Sequence, residues 1–595
     1  MQDRPAGHTD YRKCRYMEII SRMTKEASLN HINKRFPHHE LHAIIFIIAK
    51  ERIFVMKQAV KRWNQTFRRV NWIIVAVVLV LSYGFVMTNP SIGIDDENFD
   101  YFYKNNGMMV AGRWGYWLLA KIFDTYAYLP VWRETLAIIC LVIAAVLFVC
   151  ICECVMDAEL SRGHATAVVS MIIAYPLIAR MFVYMNNCLE VTGGILFATL
   201  AAYALVCVPR KRDVGNVDSP DAKKGTLARL LPSICTAAFL LIGCAQIENT
   251  LITFYVEICL FAYLKKDKDN LWRDILYPVV LSVIAMLLSQ GIGRILVWVV
   301  GVNYSSYGMG VYGRWDQLHS AKDVAAMLAT WKDNYVYWFG RYFSVKLFTA
   351  AVVFWLGAGI WQFAHKRICK GLYALGVIVA SFSMYLITAN GALPIRIFTV
   401  YFVAVAGCTV CVVAWIQARE VPEAKSGESV HRTRQSDICR IIFYLACVIC
   451  VFYGTKESNL HFREDYKRYE RDVDVARNVN YDLEKLAGRT PDVPVIFLGQ
   501  PEEYGDMDPR GEFALESIYS NNEQGQSIRI HQFFRMLGYN YPDVLTEEIT
   551  PNNLKTRSDS PLIEEAREES LTMPVYPYDG YIRVMEDKIV VKLGE

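Results

Sequence analysis

The chain has 595 residues, a formal net charge of +4, 54% hydrophobic and 13% aromatic residues, with a mean hydropathy of +0.20. It is long enough for more than one domain and too apolar for an ordinary soluble protein. Its small net charge gives no argument for a nucleic-acid partner.

Residues 1–70 are polar and basic and predict a cytoplasmic N-terminal region, with no apolar core that would make a signal peptide. Leu41 to Ala49 is too short to span and fits a surface helix, while Met56 is an alternative start that would leave residues 1–55 without a function. Apolar runs then predict an all-α polytopic domain over 71–455. They lie near 72–88, 133–154, 163–183, 189–208, 229–245, 247–264, 275–300, 346–364, 371–389, 394–416 and 439–454. These make about eleven helices, each near the ~20 residues needed to cross a bilayer. The pair 229–245 and 247–264 also reads as one hairpin or one kinked segment.

Basic residues fall in every second loop: Arg68 and Arg69, Arg210 to Lys224, Lys265 to Lys268, Lys366 to Lys370, and Arg419 to Arg434, with 155–162 the weak case, carrying Arg162 alone. The positive-inside rule places these loops in the cytoplasm. The expected location is therefore the cytoplasmic membrane, with the N-terminus inside and the C-terminal segment outside. Residues 456–595 carry more charge. Ser458 to Leu486 predicts an amphipathic helix, Val493 to Leu498 a buried strand, and Tyr581–Met585 with Lys588–Leu593 a hairpin. Together they predict a small extracytoplasmic α/β domain in an accessory or acceptor-positioning role.

The 16 cysteines all precede residue 451 and mostly sit in apolar runs, where free cysteine packs as a small hydrophobe. Cys150, Cys152 and Cys154 step about 200° apart round a helix, so all three cannot meet one metal.

The segment that packing explains least is Asn89 to Phe123. It carries three consecutive acids, Asp95, Asp96 and Glu97, and then Gly112-Arg113-Trp114-Gly115. The outside loops 89–132 and 301–345 are the expected functional loops. The predicted outside face also receives Asn186, Asn187, Glu190, Gln246, Glu248 and Pro394-Ile395-Arg396. Gly313-Arg314-Trp315 repeats the Gly-Arg-Trp of the first loop, and both stretches suit helices lying in the interface. Intramembrane Arg180, Glu248, Glu257 and Arg294 are further functional hints.

Sugar transfer outside the membrane needs a lipid-borne donor, a carboxylate to take the acceptor's proton, and cations for the leaving phosphate. Asp96 is the first choice for the base, then Asp95, with Glu97 beside them; the competing reading is a helix N-cap. Arg396 and Arg113 are the candidates for the donor phosphate, against snorkelling to headgroups. Asn186, Asn187, Glu190, Gln246, Glu248 and Arg314 are candidates to line the substrate.

The acid triplet after the first span and the downstream Gly-Arg-Trp-Gly resemble the type II glucosyltransferase family of bacterial serotype conversion, within the GT-C-like, lipid-sugar-dependent membrane glycosyltransferases. The resemblance implies transfer of a hexose, glucose, from polyprenyl phosphate to a surface glycan such as O-antigen. It makes Asp95, Asp96 and Glu97 essential, with Arg113 a participant. A divalent ion on such acids would be Mg or Mn. The partners would be the polyprenyl-phosphate sugar donor, the glycan acceptor and membrane lipid. Two other functions remain open on the sequence: a lipid-sugar flippase or transporter, and a polysaccharide polymerase or ligase using loop 301–345.

Overall fold

The computed structural model describes residues 60–93, 96–98, 107–110, 113–125, 129–207, 220–248, 250–261, 275–301, 315–391, 393, 395–420, 429–487, 491–501, 517–519, 526–546 and 561–594. Apolar helices form its larger part. Helix α1 (Val60–Arg69) turns by 78° into α2 (Trp72–Thr88); Asn71 caps α2, accepting from the Ile73 amide at 3.3 Å. After α2 come α3 (Trp114–Ile122), α4 (Trp132–Met156), α5 (Arg162–Ile173) and α6 (Met185–Val206). Helix α6 is the hub: α4 and α7 (Pro220–Ile247) both pack along its length. The shared core is built from small and branched side chains, among them Ala144, Ala145, Ile195, Ala198, Ala202 and Leu241. Small residues let helix axes approach closely, which stabilises helix pairs through dispersion where no water is present to be expelled.

Further along the chain come α8 (Leu251–Cys259), α9 (Tyr277–Val300), α10 (Ala321–Arg341), α11 (Phe343–Ala364), α12 (Ile368–Ser381), α13 (Tyr401–Glu420) and α14 (Ser429–Ala487). Among the described residues six helices are long and apolar enough to cross a membrane, or eight if each of two bent pairs counts as one span. The described residues thus hold fewer such helices than the eleven runs read from hydropathy. Helix α8 has 9 residues, about 14 Å at 1.5 Å per residue, well short of a ~30 Å hydrocarbon core. Helix α5 bends by 45° where Pro176 opens the next helical stretch, because proline cannot continue the amide ladder. Helix α12 stops at Phe382, before a separate six-residue helix, Ser383–Thr388.

In loop 301–345 the described part is mainly α10, started by a capping box in which Ser320 and Asp323 satisfy each other's backbone amides. Its sequence alternates charged and apolar positions, and Val324, Leu328, Val336 and Phe339 remain exposed. That pattern suits a helix lying in an interface.

The sequence predicts a span and a separate amphipathic helix where the structure has one element. Helix α14 runs unbroken for 59 residues, roughly 90 Å. No proline interrupts it. At Gly454 it presses on α5: a Cβ there would sit 2.5 Å from the Ala174 carbonyl oxygen. Its polar half reaches a four-stranded sheet with strand order β2-β1-β4-β3. Strand β1 (Val495–Leu498) is central and parallel to β2 (Val544–Thr546) and to β4 (Ile589–Lys592), while β3 (Ile582–Val584) pairs with β4 as the predicted hairpin. Alternate residues of β1 point to opposite faces. Val495 and Phe497 meet α14 and α15 (Gln526–Met536), and Ile496 and Leu498 meet α16 (Pro561–Ser570).

Candidate functional site

Asp96 and Glu97 lie between the start of α6 on one side and α14 and α15 on the other. Asp96 opens a short 3-10 turn, Asp96–Asn98, and is fully buried. Its carboxylate accepts the amides of Gly93 (3.0 Å), Met185 (3.2 Å) and Asn186 (2.7 Å). Met185 and Asn186 are the first residues of α6, and Tyr184, the residue before them, provides no side-chain cap. An anion is favourable there because the first amides of a helix have no partner within it. Burial nevertheless pushes the Asp96 carboxyl up to about 8, against the pull of those three amides and with a further push from the charge of Asp465. Glu97 is also buried and faces Arg529 of α15 at 3.7 Å. Asp95 lies outside the described residues.

The carbonyl side of the same helix turn is held by Arg133. Its guanidinium, wholly buried, meets both oxygens of Glu190 at 2.7 and 2.6 Å. It also donates to the carbonyls of Met185 (3.0 Å), Asn186 (2.6 Å) and Thr125. From α3, the Tyr116 hydroxyl donates to the Asn186 carbonyl and lies 2.8 Å from the Asn187 side-chain oxygen. Asn186, Asn187 and Glu190 therefore lie at the same helix start as Asp96, and all four are tied to protein partners. Val131, two residues before Arg133, has a φ of +69°, a strained value for a β-branched residue. Glu134, also buried, lies beside Arg133.

The Gly-Arg-Trp-Gly segment links this cluster to α7. Arg113 pairs with Glu248 at 3.2 Å, and the Trp114 indole donates to the Ser289 carbonyl at 3.4 Å. Gly115 lies flat on α7: a Cβ would sit 2.9 Å from Gln246 Cβ and 3.1 Å from the Gly243 carbonyl oxygen. Gln246 is buried and its amide has no partner among the described residues. Overpacking of this kind typically costs ~1–3 kcal/mol. Gly115→Ala is therefore expected to lower the unfolding midpoint of the detergent-solubilised chain, an effect absent from Gly340→Ala, where a Cβ would meet nothing within 4 Å.

The remaining sequence candidates have other partners or surroundings, or lie outside the described residues. Arg396 has its backbone in the 3-10 segment Ile395–Val400, but its side chain lies outside the described residues, as does all of Arg314. Arg180 is buried 3.7 Å from Glu457 with its guanidinium over the Tyr342 ring. Glu257 accepts from Ser381 at 2.7 Å, and Arg294 is exposed on α9. For a divalent ion, Asp96 already has both oxygens on backbone amides and Glu97 faces a guanidinium. Among the described residues no group of three or more His, Cys, Asp or Glu could hold a metal, so Asp96 and Glu97 as placed do not fit one.

A comparison with family models matches residues 84–413 to Glucosyl transferase GtrII. The chain belongs to this family. No curated protein and no solved structure matches it. As a GtrII-family chain it is a glycosyltransferase with several helices apolar and long enough to cross a membrane. The matched stretch contains Asp96, Glu97, Arg113, Arg133, the start of α6 and Glu248, and it ends before α14. Sequence reasoning missed Arg133 and Tyr116. A charged pair, Arg133-Glu134, opening a mostly apolar 25-residue helix was the available signal, since such groups are costly in a membrane.

Proposed function

We propose that this GtrII-family chain moves a glucosyl group from polyprenyl phosphate to a surface glycan on the extracytoplasmic face. The acceptor hydroxyl oxygen attacks the anomeric carbon while its proton passes to Asp96. The bond from that carbon to the phosphate oxygen breaks, and polyprenyl phosphate leaves with the electron pair. Arg113 and Arg396 neutralise the charge that develops on it. Glu248 holds Arg113 through their ion pair, and the 456–595 segment stands outside beside the acceptor.

The observation carrying this reading is a carboxyl inside the family-matched region whose proton affinity burial has raised to about 8. A base works best with a pKa near the working pH. The base must be ionised to accept a proton, so transfer should speed up as pH rises and level off above about 8. Membrane vesicles given polyprenyl-phosphate glucose and an acceptor glycan, assayed from pH 5.5 to 9, would show this rise. A flat profile across that range rules out Asp96 as the base.

A further inference from the structure

The loop bearing the acids is anchored in the part of the chain that follows the family match. Ile92, four residues before Asp96, packs in the core formed by Val473, Ala476, Phe533 and the sheet. Its carbonyl accepts from Arg468 at 2.7 Å, and the neighbouring Ser91 hydroxyl bonds to Asp465. Arg468 is itself buried between Asp465 (3.0 Å) and Asp472 (2.9 Å), and Asp472 accepts the Ser517 hydroxyl at 2.6 Å and the Ile518 amide at 3.0 Å. Helix α15 packs directly on the 3-10 turn, where Arg529 faces Glu97 at 3.7 Å. The turn itself is three residues long, too short to hold its own geometry. Its order comes from α6 on one side and from α14 and α15 on the other.

We propose that α14 and α15 position the first-loop acids, with Arg529 a positioning residue for Glu97 and Ile92 the anchor that docks the loop. This rests on the proposed reading in one respect, that those acids surround the reacting centre. A misplacement of about 1 Å at a reacting group can cost ~100-fold in rate. Arg529 touches neither the phosphate nor the lipid chain in that reading, so its loss should leave donor binding alone.

The test uses the full-length chain in proteoliposomes with polyprenyl-phosphate glucose. Arg529→Ala should lower kcat roughly tenfold to a hundredfold with KM for the donor within about twofold, and Arg529→Lys should recover most of the rate. Ile92→Ala, which cuts back the anchor, should speed hydrogen exchange of the amides of Ser91, Gly93 and Glu97 by roughly tenfold while the β1 and β4 amides keep their protection. The exchange measurement does not depend on activity. Unchanged exchange in Ile92→Ala and unchanged kcat in Arg529→Ala would overturn the positioning role. Asp96→Ala in the same assay separates the two ideas: an active Asp96→Ala removes the proposed base, whereas the exchange result still decides whether α14 and α15 order the loop.

Discussion

Asp96→Ala is expected to reduce glucosyl transfer per folded molecule by ~10²–10⁴-fold, the usual contribution of a general base. The same change strips three amides of their acceptor, two of them at the start of α6. Buried donors without partners cost about 1–3 kcal/mol each, so the variant should also unfold earlier. The two effects must be measured separately. Activity is normalised to the amount of chain surviving a size-exclusion step in detergent, and stability is read from the unfolding midpoint. If Asp96 acted only as a cap for α6, specific activity would persist while the midpoint fell. Asp96→Asn sharpens the comparison. Its amide oxygen can still accept from Asn186, while its amide nitrogen would face the donors of Gly93 and Met185. It should therefore recover part of the stability and none of the activity.

Arg133→Met is expected to give the largest loss of stability of any single change in the bundle. It leaves Glu190 buried without its guanidinium and removes the donor to three carbonyls. Breaking one side of a buried ion pair typically costs ~3–5 kcal/mol, because the remaining charge stays desolvated. Replacing both partners with apolar groups is far milder. Arg133→Met combined with Glu190→Leu should therefore be more stable than Arg133→Met alone. Urea unfolding in detergent of the two single variants and the double would measure the coupling. Additive losses would show that the pair, despite its 2.6 Å contact, contributes nothing as a pair.

The apolar character of the bundle was legible because hydropathy is a local property. Where the bundle bends was not. The stop at Phe382 and the short α8 look like continuous apolar sequence, since the period and composition do not change there. The hairpin of β3 and β4 was legible from its turn and alternation, whereas β2 joins through a parallel crossover that no local pattern announces. At the site, the acid triplet and Gly-Arg-Trp-Gly stood out as charges and glycines in an apolar setting. Their partners did not. Asp96 caps a helix that begins 89 residues later, Ser91 meets a carboxylate 374 residues away, and Glu97 meets Arg529. Arg133 was overlooked because it lies at the mouth of a predicted span, where arginine usually reaches for headgroups.

The uninterrupted α14 has a consequence for how the chain can vary. Each residue added to a helix turns everything beyond it by about 100° and lifts it ~1.5 Å. Gly454 seats the rod on α5, and Asp465 and Arg468, further along, hold Ser91 and Ile92. The stretch between them acts as a phase setting. A single insertion there would swing the sheet about a quarter-turn away from the loop it grips, so the tolerance of this segment to length change is governed by helical periodicity rather than by sequence.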